Sequence, residues 1–202
     1  MNDLRNAHPD EDQHELLATR GFGDAFYGLW VERDDIDQVA GALGLDSRTR
    51  CDSTLTGAMG RFTDPDMPLD EKNTVWIGSH SPGWSVAVSP LGLQSDLSLC
   101  EGKRRMLEVS WLSEIDGPYP LYYFFDGRSI SEEIGEYWNG RLPSGSVFEP
   151  YVSGLIRDYD TDDEALAHAY LTIVGRMTGR FIDEAWFRTP GWIYGVQPAG
   201  RG

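Results

Sequence analysis

The chain has 202 residues, with 33 acidic side chains against 17 basic ones, a formal charge of −16, 40% hydrophobic residues and 12% aromatic ones. Seven Trp, nine Tyr and eight Phe supply ample surface to bury, which excludes a disordered chain, and two Cys exclude a disulfide-stapled scaffold. The acidic surplus leaves no basic footprint for nucleic acid and would be repelled by an anionic membrane, and no apolar run approaches the ~20 residues of a membrane span.

Residues 1–20 read as a polar N-terminal arm with a short helix, Asp10 and Gln13 having the spacing of a capping pair. AFYGLWVE (25–32) is aromatic and β-branched, a strand composition. Asp35 and Gln38 then form a capping box ahead of Ile36, Val39, Ala40 and Leu43, a single helical face that Gly44 closes. Residues 46–73 are polar, with Gly, Pro and Asp throughout, and read as one long loop.

The middle of the chain predicts strands. TVWIGSH (74–80) and WSVAVS (84–89) flank Ser81-Pro82-Gly83, a tight-turn sequence. MLEVSWL (106–112) alternates, LYYFF (121–125) follows, and Asp126-Gly127 signals a hairpin into RSISEEI, expected to turn helical near 131. Thr161 and Glu164 then cap an amphipathic helix carrying Leu166, Tyr170, Ile173, Val174 and Met177, ended by Gly179. FIDEAWF (181–187) predicts one more short helix. Residues 190–202 read as a Gly/Pro-rich tail, with Trp192, Ile193 and Tyr194 able to pin it to the sheet. The expected architecture is one α+β domain over 21–189: an antiparallel meander of five or six strands, with helices packed mainly on one face.

GFGDAFYGLWVERDDIDQVAGALGLD, VWIGSHSPGWSVAVSPLGLQ, YYFFDGRSISEE and the helix ALAHAYLTIVGRMTG together resemble a bacterial domain family of unknown function. The resemblance covers about residues 20–187 and rests mostly on packing and turn residues. It implies a small cytoplasmic α+β protein with a Gly-Trp hairpin and a C-terminal helix, and brings no catalytic residue. The chain departs from that pattern in the more acidic 46–73 stretch and in extra residues around 135–160.

Chemistry-bearing motifs are sparse. Asp158, Asp160 and Asp162 match the first ligands of a calcium loop, but Asp163 stands where Gly is needed and Ala169 where Glu is needed, so acids at a helix start are the better reading. His8 and His14 fit a solvated arm and His168 a helix flank. His80, beside Ser79 and Ser81 at a strand end, is the weak catalytic candidate. The glycines form neither a dinucleotide fingerprint nor a phosphate loop, and no metal or cofactor is expected. Cys51 and Cys100 sit in no metal or redox spacing and are expected to be reduced thiols.

The functional expectation is an acidic cytoplasmic protein-binding module of the immunity or antitoxin type, neutralising a basic partner. Asp64, Asp66, Asp70 and Glu71 in the long loop, with Glu132, Glu133 and Glu136, are the acids expected to face it. The alternative is a small enzyme or ligand-binding domain with a pocket between sheet and helices.

Overall fold

The computed structural model describes residues 4–62, 64, 66–68, 73–112, 117–135, 138, 141–155 and 163–196, the side chains of 132 and 133 excepted. In chain order the elements are α1 (Gln13–Leu17), a π-helical turn (Ala18–Phe22), β1 (Ala25–Val31), α2 (Ile36–Ala42), β2 (Leu45–Thr54) and α3 (Leu55–Phe62). Then come β3 (Thr74–Ser81), β4 (Trp84–Ser89), a 3-10 turn (Leu97–Cys100), β5 (Arg105–Leu112), β6 (Gly117–Pro118), β7 (Leu121–Phe125) and β8 (Arg128–Ile134). The chain ends through a 3-10 turn (Glu149–Tyr151), α4 (Asp163–Thr178), α5 (Glu184–Phe187) and β9 (Pro190–Val196).

Local chemistry sets the boundaries. Asp35 caps α2 by accepting from the Gln38 main-chain N–H at 3.0 Å, and the Gln38 side-chain amide donates back to it at 2.9 Å. Gly44, at φ 66°, closes that helix. The β3–β4 hairpin turns at Pro82-Gly83, and the β7–β8 hairpin turns at Asp126 and Gly127, with φ of 50° and 74°. Positive φ at both central residues matches the turn to the twist of the strands.

Nine strands among the described residues form one sheet in the order β2-β9-β3-β4-β1-β5-β7-β8, with β6 added beside β5, and the paired strands are antiparallel. The sheet is therefore α+β and antiparallel as expected, but larger than five or six strands. Three strands account for the difference: β2, the two-residue β6 and β9. LDSRTRCDST offers no apolar alternation because β2 is an edge strand, exposed along most of its length, and it leads straight into α3 where one long loop is expected. Its bulge between Asp46 and Cys51 and its charged residues blunt that open edge. Main-chain pairing keeps β8 extended to Ile134, where a helical turn is expected near 131. The 190–202 segment starts not as a tail but as β9, paired with β2 on one side and β3 on the other.

The strands' period of two divides their side chains between two layers. Phe26, Trp30, Trp76, Trp84, Leu107 and Val109 meet Leu166, Tyr170, Ile173 and Met177 of α4 and Leu55 and Met59 of α3. Tyr27, Leu29, Val31, Val75, Ile77 and Met106 on the other face meet Val39 and Ala40 of α2 and the Leu97–Cys100 turn. Helices thus lie mainly on one face. Trp30, Trp76, Trp84 and Trp186 are fully buried. Each withdraws about 150–250 Å² from water, a gross gain of about 4–6 kcal/mol.

Two glycines make room for one of these rings. Gly78 and Gly191 are cross-strand partners, and the Trp76 indole lies over both. A Cβ on Gly191 would stand 2.5 Å from the Ile77 carbonyl oxygen and 2.7 Å from the Trp76 ring. The carbonyl belongs to the sheet's own backbone and has nowhere to go. Gly191→Ala is expected to lower unfolding free energy by about 1–3 kcal/mol, read as a lower denaturant midpoint with unchanged slope. A variant as stable as the parent would show that the indole can shift.

The N-terminal segment is bound, not a free arm. Asp12, rather than Asp10, caps α1 by accepting from the Glu15 N–H at 2.9 Å. Gln13 is fully buried: its amide donates to the Ile182 carbonyl at 3.0 Å and accepts from the Ile182 N–H at 2.8 Å, the exchange that a strand partner would make. Arg176, on α4, reaches back to hold the same segment at Ala7. Among the described residues no helix is long and apolar enough to cross a membrane.

Candidate functional site

His80 lies at the end of β3, wholly enclosed. Its Nδ1 accepts from the Trp186 indole N–H at 3.0 Å, so the ring proton sits on Nε2. That proton faces the Thr178 hydroxyl oxygen at 2.8 Å and the Arg180 carbonyl at 3.1 Å, while the Thr178 hydroxyl donates to the Val174 carbonyl. Burial, and then the Arg180 charge, hold the imidazole at about 3, against the smaller opposite pull of the Arg180 carbonyl. Ser81 donates to the Thr178 carbonyl at 2.6 Å, and Arg180 returns a bond to the His80 carbonyl at 2.9 Å. The His80–Ser81 pair therefore ties β3 to the end of α4 and to α5. Both ring nitrogens are committed to partners, which leaves no lone pair for a substrate proton.

The other histidines differ: His8 is exposed, His168 is half-buried and His14 is buried. His14, expected on a solvated arm, is buried with its ring 5.3 Å from that of Trp111. His168 accepts the Gln13 main-chain N–H on Nδ1 at 3.0 Å, and burial holds its pKa down despite Asp12 nearby. Cys51 is exposed, Cys100 is buried, and both are free. Among the described residues no group of three or more His, Cys, Asp or Glu could hold a metal ion. Asp158, Asp160 and Asp162 of the calcium-like run lie outside the described residues, as does the expected cap Thr161.

Of the seven acids expected to face a partner, the structure describes the side chains of two. Asp64 is half-buried and accepts the Asp66 main-chain N–H at 2.9 Å, and Asp66 is exposed. Glu132 and Glu133 lie on β8 without described side chains, and Asp70, Glu71 and Glu136 lie outside the described residues.

The structure gathers other carboxylates around α1. Glu11, Asp12, Glu15 and Glu184 line a recess of about 390 Å³ on one side of that helix. Asp24, Asp163 and Glu164 line one of about 560 Å³ on its other side, with His14, Trp111 and Pro118. The cations there are already used: Arg20 and Arg188 both pair with Glu184, whereas Glu11, Glu15 and Glu164 have no ion-pair partner among the described residues. Sequence reasoning missed this face because its acids come from four separate stretches, and α1 looks unanchored until Gln13 and Arg176 are placed.

A third concavity adjoins it. A cleft of about 490 Å³ opens where β1 begins and β5 ends, lined by Tyr27, Pro90, Leu91, Glu108, Ser110, Leu112, Tyr119 and Tyr122 among others, and Trp111 borders both it and the acidic recess. Glu108, Ser110 and Leu112 alternate with core residues Leu107, Val109 and Trp111, so the cleft lies on the sheet face opposite α4. The space between the sheet and α4 is filled by Trp30, Trp76, Trp84 and Tyr170. No family model matches the chain, and neither a curated protein nor a solved structure does.

Proposed function

We propose that this chain is a cytosolic protein-binding module of the immunity or antitoxin type, whose partner is a basic protein docking on the carboxylates around α1. The observation that supports it most is the gathering of Glu11, Asp12, Glu15, Asp24, Asp163 and Glu164 on both sides of one short helix, with the neighbouring arginines already paired. A field of one sign over a surface steers an oppositely charged partner and raises its association rate. The adjoining, largely apolar cleft supplies what charge alone lacks, an apolar patch beside a charged rim. The acids expected from the sequence, Asp64, Asp66, Asp70, Glu71, Glu132, Glu133 and Glu136, form a second arm of the test.

The chain as bait in lysate of its native cells is expected to retain a basic protein at low salt and lose it at high salt. With that protein purified, reversing Glu11, Glu15 and Glu164 to Lys is expected to slow association by about tenfold or more and to flatten its salt dependence. Rate and salt dependence equal to the parent's would refute the α1 face. The same result with the loop acids reversed would remove those residues from the site.

A further inference from the structure

The cleft on the second sheet face holds a half-buried carboxylate whose partners are hydroxyls. Asp46, Glu32, Asp37, Asp183 and Glu184 each pair with an arginine. Glu108 has no cation partner among the described residues, although it is half-buried in the wall of a cavity. Its donors are hydroxyls: Ser95 donates to Oε2, and the Tyr27 hydroxyl stands 2.8 Å from the Ser95 oxygen. The Tyr27 hydroxyl also bonds to the Glu108 carboxylate, so two hydroxyls hold it. This network runs from β1 through the 90–96 loop to β5 and fixes the carboxylate in place. Burial, and then the charge of Glu108, push the Tyr27 phenol upward and keep it a donor.

A carboxylate has about four acceptor sites, and two hydroxyls still leave it able to take a forked donor. The walls around it are aromatic and apolar: Tyr122 is its cross-strand neighbour on β7, and Tyr119, Leu91 and Pro90 stand at the mouth. Leu91 is 57% exposed and Tyr119 is 37% exposed, an apolar rim that water covers poorly. A planar cation that stacks on tyrosine and forks onto a carboxylate is a guanidinium, whereas an ammonium is a more strongly hydrated point charge.

We propose that this cleft is the receptor for a single arginine side chain of the basic partner, with its guanidinium on Glu108 and its stem between Leu91, Tyr119 and Tyr122. The proposal rests on the partner reading above and names the partner's anchor. Trp111 borders both the cleft and the acidic recess, so one docked surface would cover both.

The test uses the whole chain without a partner. N-acetyl-arginine amide, titrated into 15N-labelled protein, is expected to bind with millimolar affinity. It should shift the amides of Glu108–Leu112, of the start of β1 and of the 90–96 loop saturably. The citrulline analogue, isosteric but neutral, is expected to leave them in place. Glu108→Gln should weaken binding about fivefold or more, and Ser95→Ala, which removes one of the two hydroxyls without touching the strand, by a smaller factor. Absence of saturable shifts, equal binding of citrulline, or binding indifferent to both substitutions would overturn the proposal. If the amide fails to bind while the α1 reversals slow association, the partner reading stands and the arginine receptor falls. If the amide binds but Glu108→Gln leaves partner affinity unchanged, the cleft is a cation site unconnected with docking, which equally overturns the proposal.

Discussion

Replacing Arg176 with Met is expected to cost about 4 kcal/mol of stability, or a melting temperature lower by about 8–16 °C in a chain of this size. Arg176 is 3% exposed in the last turn of α4. Its Nε donates to the Ala7 carbonyl at 2.8 Å, and one terminal nitrogen donates to the Tyr151 and Ser153 carbonyls at 2.7 and 2.8 Å. One side chain thus ties three chain segments together and satisfies three main-chain acceptors. Methionine fills much the same volume but donates nothing, so the acceptors must reach water or remain unmet, at about 1–3 kcal/mol for each one left buried. The loss has a location as well as a size. Residues 4–11 lose their anchor, and tryptic cleavage at Arg5 should accelerate at temperatures where the core remains folded. Arg176→Lys keeps the charge but not the fork, and should fall between parent and Met variant. A Met variant with unchanged melting and cleavage would mean that α1 is held by Gln13 alone.

The second large effect is a pH dependence. His80 titrates at about 3 in the folded protein against a reference value of 6.5. The unfolded chain takes up the proton near that reference value and the folded chain does not, so protonation favours unfolding. The stability tied to neutral His80 is fully present above the reference value and is lost as pH falls toward the folded value. The slope is about 1.4 kcal/mol per pH unit, about 2 kcal/mol by pH 5. His80→Gln removes that slope and, by breaking the bond from Trp186, should cost about 2–4 kcal/mol at neutral pH. Denaturant midpoints from pH 7 to pH 5 should therefore converge between parent and variant. His168, also held below its reference value by burial, gives both proteins a residual slope of the same sign. Parallel pH curves would show that His80 is protonated in the folded protein or already hydrated.

Association at the proposed α1 face and stability at low pH depend on separate residues. Glu11, Asp12 and Glu15 are exposed, whereas His80 is wholly enclosed. A substitution at Glu11 or Glu15 should therefore change binding rate without moving the melting temperature by more than a degree or two, as surface changes away from caps and cores generally do.

What could be read from the linear order was whatever short-range chemistry decides. The Asp35–Gln38 box, the Pro82-Gly83 and Asp126-Gly127 turns, the stripe on α4 and the alternation of β5 all depend on groups within a few residues of one another, and each stands where its pattern placed it. The long edge strand β2 and the inserted β9 depend instead on a partner strand more than a hundred residues away: Cys51 pairs with Ile193 across that distance. A polar strand whose main chain is satisfied from outside leaves no trace in its own composition. The proposed surfaces follow the same division. The net charge of −16 announced an acidic face, but long-range packing of Gln13 on Ile182 and of Arg176 on Ala7 decided that α1 would carry it. Glu108 reads as an ordinary exposed residue of an alternating strand, and becomes a half-buried carboxylate in a cleft only because the 90–96 loop folds Ser95 over it.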